Sequence, residues 1–462
     1  MTANEFIIPS HVKKKLKDLG YTVDEQMTGL IKQWWNWYTC TDSWYKVPYV
    51  APEHKGSRDR LSIHPARKVV KEWASLILTD TTEISCDNEA SNIWLSDYLA
   101  ESQFLANMQS LVEKSFALGT GAMALWFDVE EETTTIKIRK YDARMVVPLT
   151  WDDDGCTECA FVSRVYFRGK PSDQLQIHCI GEKGYEITTY VWTDGKPQNP
   201  EEGGFLDTFE TECPTPTFAL VRPGIENTYV DNSAYGVSVF SDAIDAIKGV
   251  DLTFDAIFQE IELTEPMVFA DESLIDYRGK NKGIAIPKLA KSRLFRKLMG
   301  TSSKDLIEIY SPSIRIDPLK EAFNVALAEF GDQTGFGTNY FTLDKNGGLK
   351  TATEVVSDNS TLMRNVRKHE NSIAGSIKTI ITSLLTCARN HSHAGIADDF
   401  GTISVQFDDS VIVDTQTEKN AMLAEIAAGV IPAWKFAERF YGMSEEEARE
   451  WVSDREVIDV GF

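Results

Sequence analysis

The sequence predicts an α+β fold of several packed units, and three observations predict it. Between residues 122 and 167, the runs AMALWFDV, TTIKIRKYDARMVVPLTW and ECAFVSRVYF alternate in the β-branched manner of an antiparallel sheet. Two amphipathic helical patterns bracket a strongly basic segment in an otherwise acidic chain. A third helical pattern then runs without proline from Thr351 to about Asn390. With 462 residues there is room for a large core, and at roughly 100 to 200 residues per domain for two to four units.

In chain order, MTANEFIIPSHVKKKLKDLGY lacks both the apolar core and the small-residue cleavage site of a signal peptide and reads as a short helix. Trp34, Trp35, Trp37, Tyr38, Trp44, Tyr45 and Tyr49 follow, at spacings that favour core and interface packing over a stacking platform for sugars or bases. In HPARKVVKEWASLILTDTTEIS, residues Ala66, Val69, Val70, Trp73 and Leu76 recur at helical spacing before a strand. The helix FLANMQSLVEKSFALG ends at Gly119 and leads into the sheet. From Tyr235 the pattern changes: Phe240, Ile244, Ile247, Val250, Phe254, Phe258 and Ile261 make one apolar stripe, with Asp242, Asp245, Asp255 and Glu262 largely off it. Such a helix would be about 40 Å long.

The segment Arg278–Lys304 carries nine Lys and Arg and no Asp or Glu, broken by Gly283 and Pro287. Asp317 and Pro318 supply an N-cap and first-turn proline for a second helix, with Leu319, Phe323, Leu327 and Phe330 on one face. The loop FGTNYFTLDKNGG follows, then TATE, a capping box from Thr351 to Glu354. Beyond a strand at TISVQFDD the tail is helical and acidic, with Ser444 capping a run of glutamates.

A formal charge of -23 and a pI near 4.8 argue against a protein that coats DNA by neutralising phosphates. Seven scattered cysteines fit a reducing compartment better than a disulfide framework. No stretch approaches the roughly 20 apolar residues of a membrane span. LGTGAMA matches the letters of a dinucleotide fingerprint but lies between a helix and a strand in the wrong order, which makes Gly119 a helix C-cap. Cys156 and Cys159 form a lone C-x-x-C between two predicted strands, without the further ligands of a zinc knuckle, and read as small packed cysteines. His391 and His393, near Asp398 and Asp399, read as a solvated loop. No P-loop, G-x-S-x-G or H-E-x-x-H is present, and nothing argues for an enzyme, a metal or a cofactor. The basic segment is either a solvated loop or a surface facing phosphate or an acidic partner.

Four stretches in this order resemble the portal proteins of tailed bacteriophages, of the long-tailed, siphophage type. They are RLSIHPARKVVKEWASLILTDTTEIS; EKSFALGTGAMALWFDV with IKIRKYDARMVVPLTW and ECAFVS; YGVSVFSDAIDAIKGVDLTFDAI; and GGLKTATEVVSDNSTLMRNVRKHENSI. The resemblance implies a portal fold with a mixed α/β wing in residues 1–235, a stem helix in 236–264, a small clip in 265–315, a second stem helix in 316–334, a tunnel loop in 335–350, and a long wing helix, outer wing and short helical crown in 351–462. It further implies a homo-oligomeric ring, usually of twelve, at one capsid vertex of the virion, assembled in the host cytoplasm. Double-stranded DNA would pass through it without sequence readout. Its partners would be the terminase large subunit and then the head-tail adaptor, with the major capsid and scaffolding proteins around it and no membrane. On this layout Tyr340, Phe341, Lys345 and Lys350 of the tunnel loop approach the DNA. Lys288, Lys291, Arg293, Arg296 and Lys297 form the clip contact, and Asp242, Asp245 and Asp255 line an acidic stem. Without the resemblance, the same features describe a non-catalytic structural or scaffold-type interaction protein with no DNA channel, which need not close into a ring.

Overall fold

The structure, a computed structural model, describes residues 8–50, 55–130, 133–153, 155–264, 267–271, 294–297, 307–343, 352–391, 395–407, 415–441 and 443–453. The chain divides into two compact units, one of Met1–Trp35, Arg67–Ser241 and Asn346–Phe462, the other of Asn36–Ala66 and Asp242–Lys345.

The first unit is built on an antiparallel sheet ordered Lys196–Gln198, Gly184–Thr193, Lys170–Gly181, Gly155–Phe167, Val146–Asp152, with Thr208–Glu210 also paired to Gly184–Thr193. Strand alternation buries both faces. Ala160, Val162, Leu175 and Ile177 pack with Val12 and Leu16 of the helix Ser10–Asp18. Cys159 and Phe161 point the other way, into a core with Tyr141, Val146 and Phe218. The C-x-x-C therefore lies within one strand rather than between two, and Cys159 is a core residue.

A second sheet, ordered Phe218–Val221, Gly121–Glu130, Thr133–Asp142, is closed on one edge by the long helix Ala352–His391. Ser372, Ser376 and Ser383 donate hydroxyl hydrogen bonds to the carbonyls of Arg222, Leu220 and Pro216 at 2.9, 2.6 and 2.8 Å. For Ser372 and Ser376 the spacing works because four helical residues rise about 6 Å and two strand residues about 6.6 Å. An edge strand that would otherwise expose its acceptors is capped by side chains. The same helix buries Val366, Ile373, Ile377, Ile380, Ile381, Leu384 and Leu385 at helical spacing. His369 sets its ring edge-on to Trp73 at 4.7 Å and accepts the Gly224 N–H at 3.0 Å. Trp73 lies on the helix Pro65–Ile77, and all five apolar positions expected there are buried. Thr351 of the expected capping box lies outside the described residues. The Ser444 cap forms: its Oγ accepts the Glu447 backbone N–H at 3.4 Å and its own backbone N–H donates back to the Glu447 carboxylate at 3.0 Å, ahead of the helix Glu445–Ser453.

The helix Phe104–Leu118 ends at Gly119 with φ 82°, followed by the strand from Gly121, the helix-then-strand order that excludes a dinucleotide turn. A Cβ on Gly119 would lie 2.5 Å from the Gly236 carbonyl oxygen, and one on Gly236 equally close to that of Gly119. The two backbones meet where no side chain fits.

The second unit holds an antiparallel hairpin, Lys46–Val50 with Lys55–Asp59, and two helices, Ile244–Leu263 and Ile316–Gln333. It also holds a small sheet in which Met267–Asp271 pairs parallel to Leu294–Lys297 and antiparallel to Ile307–Tyr310. The first helix is shorter than its apolar stripe suggested. It starts at Ile244, not near Phe240, and its 20 residues span about 30 Å. Leu319 of the second helix is half-buried, while Phe323, Leu327 and Phe330 are buried as expected. Its N-cap is Arg315, which leaves Asp317 and Pro318 in the first turn.

Gly119→Ala is expected to destabilise the chain by about 2–4 kcal/mol, through strained φ and backbone collision. Gly375→Ala, at an exposed mid-helix position with open space around it, is expected to stabilise it by about 0.5–1 kcal/mol. Denaturant midpoints of the two variants measured side by side check the contrast.

Candidate functional site

The residues singled out for function fall mostly in the second unit, where its two helices run antiparallel. Gly249 faces Ala326 so closely that an added Cβ would sit 3.9 Å from the alanine Cβ. Further along, Phe254 and Phe323 rings lie 6.1 Å apart. At the far end Arg315 grips Glu260: Nη2 and Nε donate at 2.8 and 3.0 Å, and the Arg315 backbone N–H adds a third bond at 3.2 Å. These bonds hold the Glu260 carboxyl below its usual range. Equal stretches of each helix separate the first contact from the last, so the register is fixed at both ends.

Two more carboxylates on the first helix are buried. Asp255 is 2% exposed. It takes both terminal nitrogens of Arg58 at 2.8 and 2.7 Å and the Leu61 N–H at 3.1 Å, with Arg60 at 3.9 Å. The Arg60 guanidinium lies over the Trp44 ring at 4.1 Å. One turn earlier, Asp251 accepts from Tyr45 Oη at 2.8 Å, Ser62 Oγ at 2.7 Å and the Ile63 N–H at 3.1 Å. Burial drives the two carboxyls up and hydrogen bonds drive them down. For Asp251 burial wins and the pKa is raised; for Asp255 the guanidinium tips the balance and the pKa is lowered.

This overturns one expectation. Asp255 does not remain free to line a channel; its charge is consumed inside the unit by Arg58, a partner whose 197-residue separation hides it from periodicity. The sequence did carry a signal, since Asp251 and Asp255 are one turn apart in an otherwise apolar pattern. Asp242 and Asp245 are exposed near the helix start, Asp245 beside Lys248 Nζ at 2.7 Å.

Tyr340 and Phe341 are folded back and half-buried. Beyond the second helix, Gly335 and Gly337 both take φ 85°, and the N–H groups of Phe336 and Gly337 donate to the Gly331 carbonyl at 2.9 and 3.0 Å. Phe336 is thereby buried, with Tyr340 and Phe341 rings 4.6 and 5.1 Å from it and Phe341 5.3 Å from Phe330. Lys345 and Lys350, and Lys288, Lys291 and Arg293, lie outside the described residues. Arg296 and Lys297 lie in the parallel strand, opposite Ala270 and Asp271.

His391 is not in a loop. It ends the long helix, with Nε2 2.9 Å from the Thr211 carbonyl oxygen and its ring against Phe209 at 5.1 Å; His393 lies outside the described residues. Among the described residues no three His, Cys, Asp or Glu side chains cluster as a metal site, and no helix is long and apolar enough to cross a membrane.

The family model described as Phage portal protein, SPP1 Gp6-like, matches residues 31–459. The chain belongs to that family. It is a phage portal protein. Sequence comparison with curated proteins finds no match. Among solved structures, a chain from the virion of a native gene transfer agent particle is 11% identical, with a TM-score of 0.42 over 82% of this chain and 89% of that one. A chain from the neck of the native particle, computed with C12 symmetry, is 12% identical, with a TM-score of 0.40 over 81% and 88%.

Asp255→Asn is expected to destabilise this portal protein by about 2–4 kcal/mol at pH 7, since it strands Arg58. Asp251→Asn keeps a neutral acceptor and is expected to cost about 1 kcal/mol. The pH signs are opposite. Asp255, with its lowered pKa, contributes stability that is complete above about pH 4 and is lost as pH falls through its folded value. Asp251, with its raised pKa, contributes most below the ordinary carboxylate range and less as pH rises through its folded value. Thermal melts of both variants from pH 3 to 8 check size and sign.

Proposed function

We propose that this portal protein closes into a ring, of twelve copies, through which double-stranded DNA enters and leaves the capsid. The helices Ile244–Leu263 and Ile316–Gln333 form its stem. The observation that carries this beyond family membership is apolar surface on those helices. Leu252, Phe258, Ile261 and Val325 are 50%, 43%, 47% and 69% exposed in the single chain. Such side chains on a helical hairpin suit burial against neighbouring copies, and a ring supplies neighbours on both sides. Asp242 and Asp245 stay exposed, and with a chain charge of -23 they favour a wall that repels phosphate, so that DNA slides instead of adhering.

The clip is residues 265–315, and the basic segment Arg278–Lys304 lies within it. Lys288, Lys291, Arg293, Arg296 and Lys297 meet the terminase large subunit during packaging and the head-tail adaptor afterwards, where cationic charge on an acidic chain gives an oriented docking face. Lys345 and Lys350 bring phosphate contacts to the tunnel loop. Tyr340 and Phe341, packed on Phe336, support the base of that loop and leave the lysines to approach the duplex; no base readout is involved. Residues 1–235 and 351–462 supply wing and crown, which face the capsid and scaffolding proteins. A scaffold-type protein without a channel shares the charge pattern but has no need of exposed apolar side chains on both helices.

Val325→Asp combined with Leu252→Asp is expected to shift mass photometry of the purified chain from rings to small species while far-UV dichroism stays unchanged; retained rings would remove these helices from the interface. Replacing Arg293, Arg296 and Lys297 together by Glu is expected to leave rings intact and abolish terminase binding or DNA packaging. Normal packaging by that variant would contradict the clip assignment.

A further inference from the structure

The function described above makes no use of a thiol and an imidazole that stand side by side. Cys40 Sγ lies 2.9 Å from His64 Nδ1, in the second unit, on the segment that ties itself to Asp251 and Asp255. Around the sulfur stand the Trp37 carbonyl oxygen at 3.8 Å and Ser62 Oγ at 3.6 Å. Ser62 donates to Asp251 and accepts the His64 backbone N–H at 2.8 Å, which orients the residue carrying the imidazole. The Tyr45 hydroxyl donates to the same Asp251 carboxylate. Cys40 is partly exposed and His64 exposed, so the pair is open to solvent.

The other cysteines sit in different company. Cys86, Cys159, Cys213 and Cys387 are buried. Cys179 is partly exposed, but its neighbour is the Glu186 carboxylate at 3.6 Å, and burial together with that charge pushes the thiol up to about 12. Cys156 is partly exposed and points its thiol at the Glu158 carbonyl oxygen at 3.2 Å. Among the described cysteines only Cys40 has an imidazole within hydrogen-bonding distance. Both members of the pair also occupy left-handed backbone, at φ 55° and 56°. Cys40 does so just after the helix Glu25–Thr39, where glycine or asparagine is the ordinary choice, and His64 just before a proline, where extended backbone is.

We propose that Cys40 and His64 form a reactive thiol site whose ligand class is small disulfides such as glutathione disulfide. The chemistry is thiol–disulfide exchange. His64 Nδ1 accepts the thiol proton, and the Cys40 thiolate attacks one sulfur of the disulfide. The new S–S bond joins Cys40 to half of the reagent, and the other half leaves as a thiolate that takes up a proton; no further oxidant is needed. Ser62 links the sulfur to Asp251, so the adduct forms one hydrogen bond from the network that holds the 36–66 segment to the helix Ile244–Leu263.

The test uses the full-length, assembled protein at pH 7. A timed iodoacetamide pulse is followed by peptide mass spectrometry of every cysteine, and a parallel sample is incubated with glutathione disulfide. Cys40 is expected to alkylate at least about tenfold faster than Cys156 and Cys179, because the thiolate is the reacting form. It is also expected to be the dominant site of mixed disulfide, reversed by dithiothreitol. His64→Gln, which keeps a polar side chain but no base, is expected to bring Cys40 down to the Cys156 rate with the assembly unchanged by electron microscopy. Equal rates for Cys40 and Cys156 in the unaltered protein would overturn the proposal without recourse to any variant. So would an unchanged Cys40 rate in His64→Gln, or fast alkylation with no mixed disulfide.

Discussion

The arrangement of the second unit depends on three buried carboxylates on one helix. Asp251, Asp255 and Glu260 each need partners once removed from water, because an unpaired buried charge is worth several kcal/mol of instability. Tyr45, Ser62 and Ile63 meet the first, Arg58 and Leu61 the second, Arg315 the third. Each bond is directional, and together they leave one way for the 36–66 segment and the second helix to dock. Apolar burial alone would hold the two helices together without fixing their register. The charged contacts decide which side chains remain outside, and therefore where Leu252, Val325 and Asp245 stand.

That division explains how an acidic chain can serve a DNA conduit. Carboxylates facing inward are matched by arginine at Asp255 and Glu260 and by hydroxyl and backbone donors at Asp251, and stay structural. Asp242 and Asp245 stay exposed, and on the proposed layout they would favour a surface that does not retain phosphate. The first unit meets a different constraint, an exposed sheet edge, with the serines of the long helix. Ser372, Ser376 and Ser383 reach carbonyls of the edge strand and of the residues flanking it, which makes that helix part of the sheet's hydrogen bonding as well as its core.

Much of this was legible in the sequence where it depends on neighbours along the chain. The helix Pro65–Ile77, the Gly119 cap, the long proline-free helix to about Asn390 and the Ser444 cap follow from spacing and cap chemistry. What was not legible depends on partners far apart. Asp255 read as an outward carboxylate because helical periodicity cannot see Arg58. The helix start at Ile244 was hidden because Phe240 is buried in irregular backbone that continues the same apolar spacing. The packing of Tyr340 and Phe341 on Phe336 was not legible because nothing local announces that the Gly331 carbonyl will turn the chain back onto the helix. Cys40 and His64 escaped notice for the same reason: 24 residues separate them and two helix ends bring them together.

The central claim is that copies of this chain close around a channel. Negative-stain electron microscopy of the purified protein, with its mass measured on the same sample, tests it most directly. The account predicts closed rings with a central hole wide enough for a duplex and a mass of twelve copies of 51.9 kDa. A uniform monomer or dimer that stays so when capsid and scaffolding proteins are added would contradict it.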